Sequence, residues 1–117
     1  MNHLIYFSDE IITKTGNKKV SVQHLDLSSF ASVRKFAIEF IKAEKRLDIL
    51  VNNAGAGGIG NKKTVDGLVT GMQVNHFGPF LLTCLLLGKV VIHFVPYVCY
   101  MCVCHGNYFF FDKVDRS

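Results

Sequence analysis

An α/β fold is predicted by three observations. The stretch Val20-Ser21-Val22-Gln23-His24-Leu25 alternates apolar and polar residues and reads as a strand ending at Asp26. From Ser29 to Lys45, apolar residues recur at helical spacing. The apolar run Ile49-Leu50-Val51 then stops abruptly at Asn52-Asn53-Ala54-Gly55. With a further, mostly apolar segment from Gly67 to Leu87, the order is βαβα, which implies parallel strands joined by a right-handed crossover.

Each element has a local cause. Asp9 to Thr15 reads as the last turns of a helix, stopped by Gly16. In the Ser29–Lys45 helix, Phe30, Val33, Ala37, Phe40 and Ile41 fall on one face, with Arg34, Lys35, Glu39 and Lys42 elsewhere, and Ser28 or Ser29 can cap the first turn. The strand Ile49–Asn53 carries three consecutive apolar residues, a pattern that asks for burial on both faces in a parallel sheet. The helix from Gly67 to Leu87 contains Pro79, which has no N–H. The carbonyl four residues earlier, that of Asn75, therefore loses its usual partner, Gly78 loosens the same turn, and a kink is expected. That helix is apolar nearly all round, so it needs burial against its own sheet or against a partner.

Composition bounds the function. At 117 residues and 13.1 kDa the chain is at most one domain, with no internal repeat or linker. A net charge of +4 is scattered over Lys18-Lys19, Lys42 to Arg46 and Lys62-Lys63, so no continuous basic face argues for nucleic acid. An apolar fraction of 50% with ten Phe argues against intrinsic disorder up to Leu87. Four cysteines without a signal peptide suggest a reducing compartment.

Ligands of open α/β sheets bind just past the carboxyl ends of the strands. That rule directs attention to Asp26 and to Asn52 through Gly55. The run Gly55-Ala56-Gly57-Gly58-Ile59-Gly60 formally satisfies G-x-G-x-x-G, but a dinucleotide fingerprint should open a long helix and meet an acidic residue about 20 positions on. Here Asn61 to Gly67 reads as loop, so the run is taken as a flexible connection. His3, His24, His76, His93 and His105 have no metal-site spacing, and His24 and His76 read as surface residues. Cys99, Cys102, Cys104 and His105 could offer thiolates to zinc, but they form a single knuckle inside an apolar run, and no metal is expected.

Asn-Asn-Ala-Gly after a buried strand resembles the signature of the short-chain dehydrogenases/reductases, nicotinamide-dependent enzymes on a Rossmann fold. Asp26 in His24-Leu25-Asp26-Leu27 and Asn75 in Val74-Asn75-His76-Phe77-Gly78 match two further family segments at the right distances. The resemblance runs from Asp9 to Leu87. It is closest to the retinol-dehydrogenase-like branch, on the wording Arg46-Leu47-Asp48-Ile49-Leu50-Val51-Asn52-Asn53 and Phe80-Leu81-Leu82-Thr83.

The resemblance implies a cofactor, NADP or NAD, with Asp26 and Leu27 at its adenine and with Asn52, Asn53, Ala54 and Gly55 at the sheet centre and adenosine ribose. It implies that Asn75 kinks its helix and offers its main-chain carbonyl to a proton-relay water. Full-length relatives transfer hydride between NAD(P) and an alcohol or carbonyl, including retinoid-like lipids. The family's Thr-Gly-x-x-x-Gly-x-Gly turn has no counterpart before Gly55, and the serine of its catalytic set has no matching segment. No tyrosine is followed four positions later by lysine: Tyr6 meets Glu10, Tyr97 Met101, Tyr100 Cys104 and Tyr108 Asp112. The implied fold is a partial Rossmann-like βαβα unit, lacking the first two strands and the later half of the family sheet. In the family order those missing strands lie between the two present here. Either the two pair directly, or apolar surface stays exposed.

The expected organisation is a partial dinucleotide-binding domain over residues 1–87 and a divergent hydrophobic tail over 88–117. The tail is foreign to the family, and Gly88-Lys89-Val90 could translate a splice donor. Its apolar run is interrupted by Lys89, Pro96 and His105-Gly106-Asn107, so a membrane span, which needs about 20 apolar residues, is not expected. The expected whole is a truncated oxidoreductase without turnover, intracellular and either cytoplasmic or associated with the endoplasmic reticulum. The alternative is a non-catalytic fragment that associates with a membrane through the tail, or with other chains, its own copies included, through the helix 67–87. On that view Lys at Leu82 or Leu86 would disrupt the contact.

Overall fold

The computed structural model describes residues 3–89, 99–100 and 108–112, with side chains over 8–89. It is an α/β fragment with two compact units, Met1–Leu25 with Asn107–Ser117, and Asp26–Gly106.

In the first unit, helix α1 (His3–Thr15) packs on strand β1 (Val20–His24). The helix stops as expected: Gly16 takes the left-handed φ of 71° that suits a residue without Cβ, and its N–H donates to the Ile12 carbonyl at 2.8 Å. Strand β1 pairs antiparallel with β4 (Tyr108–Asp112), Val20 opposite Asp112 and His24 opposite Tyr108. His24 is exposed at the end of its strand.

The second unit is built on helix α2 (Phe30–Ala43), which packs on α4 (Gly78–Leu86). Ser29 is the N-cap of α2, its hydroxyl accepting the Ser32 N–H at 3.3 Å. The buried face of α2 is Val33, Phe36, Ala37 and Phe40. The stripe therefore sits slightly round the helix from the expected one. Phe36 joins it, stacked on Phe40 with ring centroids 6.0 Å apart, while Phe30 and Ile41 are only half-buried. Leu82 and Leu86 of α4, with Leu27, Leu47 and Leu50, complete the core. Full burial of each such side chain is worth about 1.5–3 kcal/mol.

Two expectations need correction. The strand Ile49–Asn53 shortens to β2 (Val51–Asn52), which pairs in parallel with β3 (Cys99–Tyr100), Val51 opposite Cys99. It is not buried on both faces: Leu50 is 6% exposed, whereas Ile49 and Val51 are 65% and 50% exposed. Successive strand residues point to opposite sides, so with one side covered only every second residue is buried. Ile49 and Val51 are thus apolar surface left exposed on the second unit.

The helix expected from Gly67 to Leu87 begins three residues later. It runs as α3 (Thr70–Met72), a π-helical segment (Gln73–Phe77), α4 and a 3₁₀ turn (Leu87–Lys89). Residues 62–70 form a tight turn instead, in which Thr64 N–H donates to Leu68 O and Thr70 N–H to Lys62 O, both at 2.8 Å. Gly67 sits at φ 80°, outside the helical region. No helix among the described residues is long and apolar enough to cross a membrane.

Candidate functional site

Asp26 follows β1, and its carboxylate turns back on the chain ahead of it. Its Oδ1 accepts the Ser28 N–H at 2.8 Å and the Ser28 hydroxyl at 2.6 Å. The Asp26 N–H donates to Ser32 Oγ at 3.0 Å, and the Asp26 carbonyl accepts the Ser29 N–H at 3.2 Å. One carboxylate oxygen thus fixes a turn that feeds α2. The second oxygen, Oδ2, belongs to a half-buried side chain and lies outside these bonds. Leu27, next in sequence, is buried.

Asn52 ties β2 to α4. Its Nδ2 donates to Thr83 Oγ1 at 3.1 Å, and that hydroxyl donates in turn to the Pro79 carbonyl at 2.8 Å. Beyond it the Asn53 N–H turns back to the Val51 carbonyl at 3.1 Å. Asn53 and Ala54 are exposed and Gly55 is half-buried, so small surface is presented where the strand ends.

Asn75 clasps the same loop one residue later. Its Oδ1 accepts the Ala56 N–H at 2.6 Å, and its Nδ2 donates to the Ala56 carbonyl at 2.8 Å. The carboxamide thus satisfies both backbone groups of one loop residue, as a strand partner would. The glycine run continues into turns, with Gly58 and Gly60 at φ 69° and 65°, and no helix begins before Thr70, so it lacks the long helix of a phosphate fingerprint.

Pro79 produces the expected disturbance in a particular form. The residues before it adopt π-helical register, with the Gly78 N–H donating to the Gln73 carbonyl five residues back. Such a turn carries one extra residue, and π turns occur often at functional sites. Gly78 is then pressed against the Asp26 segment. A Cβ built on it would lie 2.6 Å from the Leu27 carbonyl oxygen, 3.0 Å from the Gln73 carbonyl oxygen and 3.1 Å from Leu27 Cβ. The turn Gln73–Gly78 therefore touches the Asp26-Leu27 segment through Gly78 and the loop after Asn53 through Asn75.

Three residues outside the expected set belong to this arrangement. Gln73 is completely buried. Its Oε1 accepts a short hydrogen bond from Thr64 Oγ1, and its Nε2 donates to Asp66 Oδ2 at 2.5 Å. Asp66 Oδ2 also accepts the Phe30 N–H at 2.8 Å, capping α2 from 36 residues away. The Thr64-x-Asp66-Gly67 turn and a glutamine in an apolar helix were the available signals, but the pairing between them is long-range. His76 is exposed and packs edge-on to Phe77 and stacked on Phe80, with centroids 5.1 and 6.4 Å away. No His/Cys/Asp/Glu group suited to a metal occurs among the described residues, and Cys99 to His105 lies outside the described side chains.

Residues 8–93 match the short chain dehydrogenase family. The chain belongs to the short-chain dehydrogenase/reductase family. Its relatives place this short-chain dehydrogenase/reductase in the retinol-dehydrogenase-like branch. Retinol dehydrogenase 12 of Bos taurus is 49% identical over 83 residues, 71% of this chain and 26% of that protein. Retinol dehydrogenase 11 of Homo sapiens is 51% identical over 81 residues, 69% of this chain and 26% of that protein. A crystal structure of an uncharacterized protein from Mycobacterium paratuberculosis superposes with a TM-score of 0.52 at 40% identity, over 58% of this chain and 24% of that one. The chain thus spans about a quarter of the length of the curated relatives it matches.

In this short-chain dehydrogenase/reductase, acceptor and small groups gather past the ends of the two strands. Asp26 Oδ2 is an acceptor left outside the Asp26–Ser28 turn, and the backbone at Asn53 to Gly55 carries small or exposed groups beside a clasped loop.

Proposed function

We propose that this chain is the adenosine-binding central portion of an NAD(P)-dependent oxidoreductase, a partial Rossmann-like βαβα unit without the first two strands and the later half of the family sheet. The observation that carries the reading is the meeting of its three family segments on the single turn Gln73–Gly78, through Gly78 against Leu27 and Asn75 on Ala56. In this reading Asp26 Oδ2 accepts a hydrogen bond from the exocyclic amine of adenine while Oδ1 keeps the turn closed. Leu27 backs that contact from the core. Asn53, Ala54 and Gly55 give the ribose a small surface, Asn52 fixes β2 to α4, and Asn75 holds the loop at Ala56. The bound dinucleotide, NADP or NAD, supplies or accepts a hydride. The substrate class is an alcohol or carbonyl, and the retinol dehydrogenases among the relatives favour a retinoid-like lipid.

The 117-residue polypeptide itself has no turnover in this reading. Tyr-x-x-x-Lys does not occur in it, so no lysine sits where it would lower a tyrosine pKa for proton exchange with the substrate oxygen. Isothermal titration with AMP, and reduced-nicotinamide absorbance in the presence of NADP⁺ or NAD⁺ and retinol, test the two halves. The expected results are weak AMP binding lost in Asp26→Ala, and no reduction above the protein-free rate. Binding unaffected by Asp26→Ala, or steady reduction, overturns the respective half.

A second reading, as a non-catalytic fragment that binds other chains, is favoured by the exposed Phe77, Phe80 and Leu87 on the outer side of the last helix. Leu82 and Leu86 are core residues, 2% and 0% exposed, so Lys there tests folding and the contact is tested instead at Phe80. Co-purification with a full-length relative that survives Phe80→Lys removes this reading.

A further inference from the structure

Buried Gln73 sits at the start of two routes that both end on the Asp26 turn. Through its main chain, the Gln73 carbonyl takes the Gly78 N–H and so sets the π turn that presses Gly78 on Leu27. Through its side chain, Nε2 holds Asp66 Oδ2, which caps the Phe30 N–H. Leu27 and Phe30 flank Ser28 and Ser29, the residues whose N–H groups close the turn on the Asp26 carboxylate and carbonyl. A completely buried amide with both ends engaged is costly to disturb, since either orphaned end loses a hydrogen bond without regaining water.

We infer that Gln73 and Asp66 are positioning residues for adenine recognition: they hold the Asp26 turn from both flanks so that Oδ2 presents a fixed acceptor to the exocyclic amine. This rests on the proposed nucleotide reading. Neither residue touches the nucleotide. Asp66 itself is exposed, and Asp66→Asn can keep an oxygen in place for both donors, whereas Asp66→Ala orphans the Gln73 amide and the Phe30 N–H together.

Two measurements test it on the whole chain. The first needs no ligand. In Asp66→Ala the Phe30 amide loses its acceptor directly, whereas the Ser28 amide, bonded to Asp26, does not. Positioning predicts that amide exchange at Ser28 accelerates about tenfold, while the Glu44 amide at the far end of α2 changes less than about twofold. Asp66→Asn should restore Ser28 protection. Uniform acceleration of Ser28 and Glu44, or an unchanged Ser28, overturns the inference. The second compares AMP with IMP, which carries a carbonyl where AMP carries the amine. The unmodified chain should favour AMP, and Asp66→Ala and Gln73→Leu should bring the two affinities within about threefold, by the loss of one hydrogen bond to a charged group. A variant that weakens both ligands equally and keeps their ratio has a structural role only, which also overturns the inference. If the unmodified chain shows no preference for AMP, the nucleotide reading of Asp26 fails instead, and the Ser28 exchange still decides whether Asp66 holds the turn.

Discussion

Gly78→Ala tests the packing on which the site depends. Gly78 has ordinary right-handed helical angles, φ −62° and ψ −54°, so nothing in its backbone conformation calls for glycine. In an open helix, alanine at such a position stabilises by up to about 1 kcal/mol. Here the added carbon would lie 2.6 Å from the Leu27 carbonyl oxygen and 3.0 Å from the Gln73 carbonyl oxygen. Both are backbone atoms and cannot rotate aside, so the helix must retreat from the Asp26-Leu27 segment. Overpacking of this kind costs about 1–3 kcal/mol. With rigid neighbours the upper part of that range applies, and after the propensity gain the net loss is about 1–2 kcal/mol. Gly71 is the matched control: it is helical, its φ is not positive, and nothing lies within 4 Å of its added Cβ. Urea denaturation followed by circular dichroism should show Gly78→Ala with a lower midpoint than the unmodified chain, and Gly71→Ala with an equal or higher one. If both variants move upward together, the contact between the π turn and the Asp26 segment is absent in solution.

Other variants separate core from surface and clasp from cap. Leu82→Lys should abolish cooperative unfolding by placing an unpaired charge at a position 2% exposed, whereas Phe80→Lys, 57% exposed, should unfold within about 0.5 kcal/mol of the unmodified chain. Asn75→Ala removes two hydrogen bonds to Ala56 on an exposed residue, so the expected loss is about 1–2 kcal/mol, seen together with faster exchange of the Ala56 amide. Ser29→Ala should cost α2 about 1 kcal/mol, and a smaller loss would show that Asp66 on Phe30 already serves as the cap.

How far the sequence reveals this architecture depends on the range of the interactions involved. Helix α2 was legible from spacing, although its buried face takes in Phe36 and leaves Phe30 and Ile41 half-buried, and the end of α1 because Gly16 stops it. Strand β2 was misread as buried on both faces because burial depends on what covers each side: the apolar run specifies the strand, but Ile49 and Val51 remain exposed. The start of the last helix was misplaced because Val65, Leu68 and Val69 continue the apolar pattern through a turn held by Thr64, Lys62 and Thr70, bonds that periodicity does not register.

The same division runs through the candidate site. Asp26, Asn52 and Asn75 are named from the sequence because each lies in a short segment with a recognisable chemical type. What the sequence did not disclose is that Asn75 spends its carboxamide on Ala56, and that Gln73 and Asp66 link the last helix to the first turn of α2. These contacts depend on the π turn, whose extra residue accommodates Pro79 while the Gln73 side chain stays in the core and that of Asn75 reaches the loop. Proline in a helix predicts a disturbance but not its form, because a kink and a π turn both answer the missing N–H. The π form keeps Gly78 and Asn75 on one rigid turn. That explains why segments separated by loops of unlike composition can be aligned by a single helix, and why Gly78, with no chemistry of its own, bears on the Asp26 turn through Leu27.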